Sequence, residues 1–197
     1  MSQEFASQDV LTQMYESIRD KRLLDARSIF LSEGVDSRSS RRVIADLLIL
    51  DQDSHEPINL FLNSPGGEIN SGFAIYDTIR FIKSDVRIIT AGLCASIATI
   101  INIATKKENR LSLPNGKFLI HQPLIMGHVQ GSASDLEITA NQILKSREKI
   151  NKLLAEECKQ PLDRVEKDTT RDYWMTAPEA LEYGLINRII TSVDDLA

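Results

Sequence analysis

A chain of 197 residues is long enough to bury about 70% of its unfolded surface, so one domain over 1–197 needs neither disulfides nor metal to be stable. Its residues are 42% apolar and 26% charged, with a net charge of -5, which fits a soluble globular protein and excludes the basic footprint of a nucleic-acid binder. Cys94 and Cys158 lack CxxC spacing or a His-rich neighbourhood, which points away from a metal centre and towards a reducing, cytoplasmic compartment; Met1 to Asp20 shows no secretory signal.

In chain order, Tyr15, Ile18, Leu23 and Ala26 have helical spacing, and Ser28 to Ser32 reads as a short strand. Arg41 to Asp51 is helical again through Val43, Ile44, Leu47 and Leu48. Ile58 to Leu62 reads as a strand, broken by Asn63-Ser-Pro-Gly-Gly67. The helix after it buries a stripe of Ile69, Gly72, Phe73, Tyr76, Ile79 and Ile82. Val86 to Thr90 is a β-branched strand ending at Gly92, and Ser96 to Ala104 is an apolar helix. The uncharged run Ile88 to Thr105 approaches the length of a membrane span, but its Gly, Ser, Asn and Thr residues mark a buried strand, a turn and a buried helix.

Leu111 to Ile120 gives two short strands around Pro-Asn-Gly. Ser134 and Glu137 have capping-box spacing, which starts a helix of about 24 residues running to Cys158, twice the usual length and of the kind that projects to form an assembly contact. Pro161 at a first helical position opens a short helix that ends near Thr169. Thr176 and Glu179 form another capping-box pair, Gly184 closes that helix, and Leu185 to Ile190 is a final strand. Alternating strands and helices, with no repeat and no linker, define a single α/β domain.

The candidate chemistry lies at element ends. Ser96 sits between a buried strand and an apolar helix, where helical N–H groups favour negative charge on a reacting group; the plainer reading is a serine that caps the helix. His121 ends an apolar strand in Phe118-Leu-Ile-His-Gln-Pro123; as a lone residue it equally reads as a hydrogen-bonded core imidazole. His55 lies in a charged turn and His128 in the polar segment Met126 to Ser132, both weaker candidates. Spacing does not separate Asp168 from Asp172 as an orienting acid. The glycines before the third helix offer N–H groups to an oxyanion or serve only a tight turn. With no GxxxxGK[ST] sequence, the chain should not hydrolyse ATP itself.

Taken together, Asn63-Ser-Pro-Gly-Gly67, Ala95-Ser96, Ile120-His-Gln-Pro123, Thr170-Arg-Asp172 and Ala177-Pro-Glu-Ala180 resemble, in order, the motifs of the ClpP family, proteolytic subunits of the Clp proteases. The similarity runs from about Leu23 to Ile190. It implies a ClpP/crotonase-like fold of repeated β-β-α units, with residues 134–158 as a protruding handle helix. It implies Ser96 as nucleophile, His121 as general base and Asp172 as the orienting acid, with Gly67 and Ile97 as backbone oxyanion donors. It further implies that Gly127, Val129 and Gly131 lie on a strand that pairs with substrate, and that Arg171 makes a subunit contact.

The implied assembly is two heptameric rings, of one chain type or mixed with a paralogue, served by a Clp AAA+ ATPase that feeds unfolded polypeptide. ATP acts through that partner; the chain itself is expected to need no cofactor or metal and to contact neither nucleic acid nor membrane. The chain departs from the family pattern in three places. Ile97 and Ala98 stand where Met and Gly are common, the segment between His121 and Asp135 is about two residues longer, and residues 1–20 match the usual axial hairpin poorly. Those departures motivate a second reading, a low-activity regulatory ring subunit. A third is an acyl-CoA enzyme of the wider crotonase fold, which shares the glycine-bearing oxyanion geometry without requiring a Ser-His-Asp set.

Overall fold

The computed structural model of the chain describes the backbone of residues 2–124 and 130–196, with side chains from residue 12 onward except residue 13. Seven strands form one sheet: β1 (Ser28–Leu31), β2 (Ile58–Ser64), β3 (Val86–Ala95), β4 (Arg110–Ser112), β5 (Lys117–Ile120), β6 (Tyr173–Thr176) and β7 (Arg188–Ile189). The order is β1-β2-β3-β4-β7, with β5 branching from β3 and β6 pairing with β5. All pairings are parallel except β5 with β6. Parallel strands need crossovers and covered faces, which explains the runs of Ile and Leu that lack strict alternation.

The helices are α1 (Ser2–Asp25), which buries none of its described side chains, and α2 (Ser37–Asp53), α3 (Ile69–Phe81), α4 (Ile97–Asn102), α5 (Ala133–Cys158), α6 (Leu162–Asp168) and α7 (Ala177–Tyr183), which supply the covers. The main core packs α2, α3 and α4 on one sheet face through residues such as Leu47, Ile75, Ile88, Ile100 and Ile101, each 1% exposed or less. Each such side chain contributes about 1.5–3 kcal/mol by leaving water. A smaller cluster of Ile89, Leu111 and Ile190 covers the other face, closed by Phe61 and Leu196. Among the described residues, no helix is long and apolar enough to cross a membrane.

Several expected boundaries move. The strand expected to stop at Thr90 continues to Ala95, because β3 pairs with β4 along its first half and with β5 along its second. The two short strands around Pro-Asn-Gly therefore do not pair with each other; they lie end to end along β3. A register shift between Leu62 and Ser64 accommodates the run, and the Asn63 side chain accepts the Leu93 N–H across it at 3.0 Å. The helix after Ser96 is only six residues long. β7 is two residues rather than six, and Pro161 is the N-cap of α6 rather than its first residue.

The long helix starts one residue earlier than expected and uses a different capping box. Ser132 Oγ accepts the Asp135 N–H at 3.3 Å, and the Asp135 carboxylate accepts the Ser132 N–H at 3.1 Å. Ser134 and Glu137 have the same spacing but lie inside the first turn. In α5 the buried residues are Ile150, Asn151, Leu154 and Cys158. Its first half is thus free of the core, as a projecting helix should be. Residues 2–20 belong to α1 rather than to a hairpin.

Arg110 anchors the buried end of α5. It is 1% exposed and donates to the carbonyls of Thr105, Ile103 and Glu157 and to the Glu157 carboxylate. A buried guanidinium with its donors taken by carbonyls and a carboxylate avoids the cost of an unpaired charge.

Candidate active site

β3 ends at Ala95, and the chain turns sharply into α4 at Ser96, whose backbone takes φ 57 and ψ -128. The turn is held on both sides. Ser96 N donates to Leu119 O on β5 at 2.9 Å, while Ser96 O accepts the Thr99 N–H at 3.0 Å and the Thr99 hydroxyl at 2.7 Å. The Ser96 side chain makes no capping bond to α4. The helix-cap reading of this serine therefore fails, and Ser96 lines a cavity that His121 also lines.

Strand register brings His121 and Asp172 together. In the antiparallel pair β5–β6, Ile120 lies opposite Tyr173, so the residue after one and the residue before the other emerge side by side. His121 Nδ1 is 3.5 Å from Asp172 Oδ1. The imidazole side chain is 14% exposed and the carboxylate 62% exposed in the single chain. Among the described residues, no hydrogen bond joins Ser96 to His121 or His121 to Asp172. The three groups are adjacent but not drawn into a closed relay, as is common before substrate arrives.

β6 is the element that sequence reasoning missed. Tyr-Trp-Met-Thr is aromatic-rich and directly follows Asp172, a signal that would have placed the strand. Asp168 is excluded by its surroundings: its carboxylate accepts the Tyr183 hydroxyl at 3.2 Å and lies 3.6 Å from Arg164. His55 sits exposed beside Asp51 at 3.4 Å, away from Ser96. Arg171 is exposed next to Asp172, and Gly131 is exposed just before α5. Gly127, Val129 and His128 lie outside the described residues.

The glycine turn lies directly against the serine. Gly66 has φ 85, and a Cβ there would fall 2.6 Å from Ala95 O, 2.7 Å from Ser96 Cβ and 3.1 Å from Ile97 N. Gly67 has φ 152, and its Cβ would strike Val35 O at 2.2 Å. Val35 N donates to Gly66 O at 2.8 Å, and Glu68 N donates to Val35 O at 2.7 Å. This bridging pattern leaves the Gly67 N–H directed to the other side of the chain. Ile97, the first residue of α4, has no intrahelical acceptor for its own N–H. The Ile97 N–H is thus a main-chain donor next to the serine, and the Gly67 N–H on the adjoining turn takes no part in the Val35 bridge.

Beside Ser96 and His121 the cavity is lined by Ile69, Ile97, Ile100, Ile150 and Leu154, with a volume of about 20 Å³. Among the described residues, none of its walls is a carboxylate or an ammonium. Neither cysteine competes as a nucleophile: burial pushes the Cys158 thiol up to about 12 and raises Cys94 further. Among the described residues, no group of three His, Cys, Asp or Glu side chains is placed to hold a metal.

A model of the Clp protease family matches residues 12–193. The chain belongs to the Clp protease family. Two relatives, each called ATP-dependent Clp protease proteolytic subunit 3, come from Rhizobium johnstonii and Rhizobium etli. They are 45% and 44% identical over 174 residues, covering 88% of this chain and 89% of theirs. A solved ClpP1 point mutant from Listeria monocytogenes superposes with a TM-score of 0.83 at 38% identity, covering 90% of this chain and 98% of that one. The Clp protease fold expected from the motifs is therefore the fold found, with α5 as its long helix.

Membership in the Clp protease family, a serine peptidase family, gives the Ser96 turn its context. Where the family commonly carries Met and Gly, this member has Ile97 and Ala98, both buried at 3% and 0% exposure. The substitution is accommodated by packing: Ile97 lies on Gly72 of α3.

Proposed function

We propose that the chain is a serine endopeptidase subunit with Ser96 as nucleophile, His121 as general base and Asp172 as the carboxylate that orients the imidazole. His121 takes the Ser96 proton as the hydroxyl oxygen attacks the scissile carbonyl, and the oxyanion is held by the N–H groups of Gly67 and Ile97. The imidazolium then gives its proton to the leaving amine, and water hydrolyses the acyl-enzyme by the same route. The carrying observation is that Ser96, His121 and Asp172 come from the ends of three strands bonded in sequence, β3 to β5 to β6.

The substrate is unfolded polypeptide delivered by a Clp AAA+ ATPase. The relatives' name specifies ATP dependence, and this chain has no P-loop sequence, so nucleotide hydrolysis falls to the partner. Two heptameric rings in the cytoplasm would place the free half of α5 between rings and Arg171 against a neighbour beside the half-exposed Asp172. The chain needs no cofactor.

The test is Ser96→Ala in the assembled protein. Peptide turnover should fall by at least about 10³-fold, given the roughly 10⁶-fold loss when a serine protease loses its nucleophile, and labelling by a fluorophosphonate should vanish. Labelling retained at another residue sinks the assignment. The open geometry of Ser96, His121 and Asp172 favours a second reading, a ring subunit that becomes active only beside a paralogue. Turnover by the purified chain alone, undiminished relative to mixtures with paralogues, would exclude it.

A further inference from the structure

We infer that Gly72 is a positioning residue for the oxyanion hole: by having no side chain it lets Ile97 seat against α3, and that contact fixes the direction of the Ile97 N–H. The inference rests on the peptidase reading above. A glycine inside a helix costs about 1 kcal/mol relative to alanine, so its presence in α3 calls for a reason. The reason is steric. A Cβ on Gly72 would lie 2.2 Å from Ile97 Cγ1, 3.2 Å from Cδ1 and 3.3 Å from Cβ.

Ile97 has little room to retreat, since the cavity it lines is only about 20 Å³. The residue is 3% exposed, β-branched side chains are stiff at χ1, and its first side-chain carbons are the atoms in contact, not a flexible tip. A methyl group at position 72 would therefore push the first turn of α4 away from α3, moving the Ile97 peptide with it. On its other side the same peptide is approached by Gly66, whose absent Cβ would stand 3.1 Å from Ile97 N. The donor is thus held between two positions without side chains, both on the segment that also carries the second donor, Gly67.

Oxyanion donors must lie about 2.7–3.1 Å from the developing charge, and a misplacement of about 1 Å can cost 10²-fold in rate. Gly72 touches neither substrate nor the reacting atoms, so its effect should appear in the transition state rather than in substrate binding.

The experiment compares wild type, Gly72→Ala, Ile97→Ala and the double variant in the assembled protein, using a fluorogenic peptide and a peptidyl boronate, whose tetrahedral adduct places an oxygen in the hole. Gly72→Ala should lower kcat by about 10²-fold, leave KM within about twofold, and weaken the boronate by the same factor as kcat. In the Ile97→Ala background, which removes the colliding carbons, Gly72→Ala should change kcat by less than about threefold. Wild-type kcat in Gly72→Ala, a loss confined to KM, or equal losses in both backgrounds would overturn the inference. If Gly72→Ala alone fails to fold, the two Ile97→Ala proteins decide: equality supports the inference, and a tenfold or larger loss in the double variant overturns it. A wild-type protein that neither turns over peptide nor is labelled at Ser96 overturns the peptidase reading itself, and this inference with it.

Discussion

Among the described residues, Ser96 is one of three non-glycine residues with positive φ. The other two, Arg27 and Lys159, follow the C-terminal ends of α1 and α5, where left-handed residues commonly end helices. Ser96, at ψ -128, lies outside that well, in a region that favours glycine. Such a backbone costs about 1–3 kcal/mol and persists because the surrounding bonds to Leu119 and Thr99 hold it. On the proposed mechanism serine stands there for its hydroxyl, since its backbone preference disfavours the position. Ser96→Gly should therefore be more stable than Ser96→Ala by about 1–2 kcal/mol, and on the proposed mechanism both would be inactive. Urea unfolding at one protein concentration measures this; an alanine variant at least as stable as the glycine one sinks the strain argument. The position of Ser96 at a strand-helix junction was legible in the sequence. Its strain was not, because that arises from β5 binding the turn from the side.

At the scale of elements, the sequence conveyed type better than extent. Apolar periodicity located α3 and α5, but β3 ran past its glycine because two separate strands extend along it, a fact of pairing that no local pattern contains. Two capping boxes of equal spacing competed at the start of α5, and the one two residues earlier formed, Ser132 with Asp135. β6 went unread, although it delivers Asp172. What fastens β6 and β5 to α5 is a buried polar contact: the Thr169 hydroxyl is shared between Asn151 Oδ1 at 3.0 Å and Val165 O at 2.9 Å, and Thr169 O accepts the Gln122 N–H at 2.6 Å. Asn151 and Thr169 are 2% and 0% exposed. Thr169→Val leaves the Asn151 oxygen without this donor in the core and should cost about 1–3 kcal/mol. Adding Asn151→Leu should recover much of the loss, since two apolar partners of similar shape leave nothing unsatisfied. Urea midpoints that fall additively, with no recovery in the double variant, would show that the contact is not a coupled pair.

For the whole molecule, the family motifs conveyed the architecture because they are widely spaced and the sheet is what makes them converge: turn 63–67, Ser96, His121 and Asp172 all sit at strand ends. The same sheet is enclosed by helices whose entry points are set by carboxylates, and this gives the fold a definite acid response. Asp36 is held below the ordinary carboxylate range chiefly by the Ser39 N–H, Asp135 by the Ser132 hydroxyl and N–H, Glu179 by the Thr176 hydroxyl and N–H, and Asp195 by the N–H groups of Thr191 and Ser192. A carboxyl with a depressed folded pKa binds its proton more weakly in the folded than in the unfolded chain. Its stabilisation is complete above the unfolded value, near pH 4, and disappears as pH falls through the lower folded value. Asp46 has the opposite sign, raised chiefly by burial, but it is one group against six, since Asp51 and Glu148 are lowered as well. The urea midpoint should therefore be flat with respect to these groups above about pH 5 and decline below about pH 4. Asn at 36 and 135 with Gln at 179 keeps a capping oxygen but removes the titration, so the Asp36→Asn, Asp135→Asn, Glu179→Gln variant should show a shallower decline from pH 4 to 3. A slope unchanged in that variant would mean that the acid response comes from elsewhere in the fold, and a midpoint that rises on acidification would contradict the sign of every one of these six shifts.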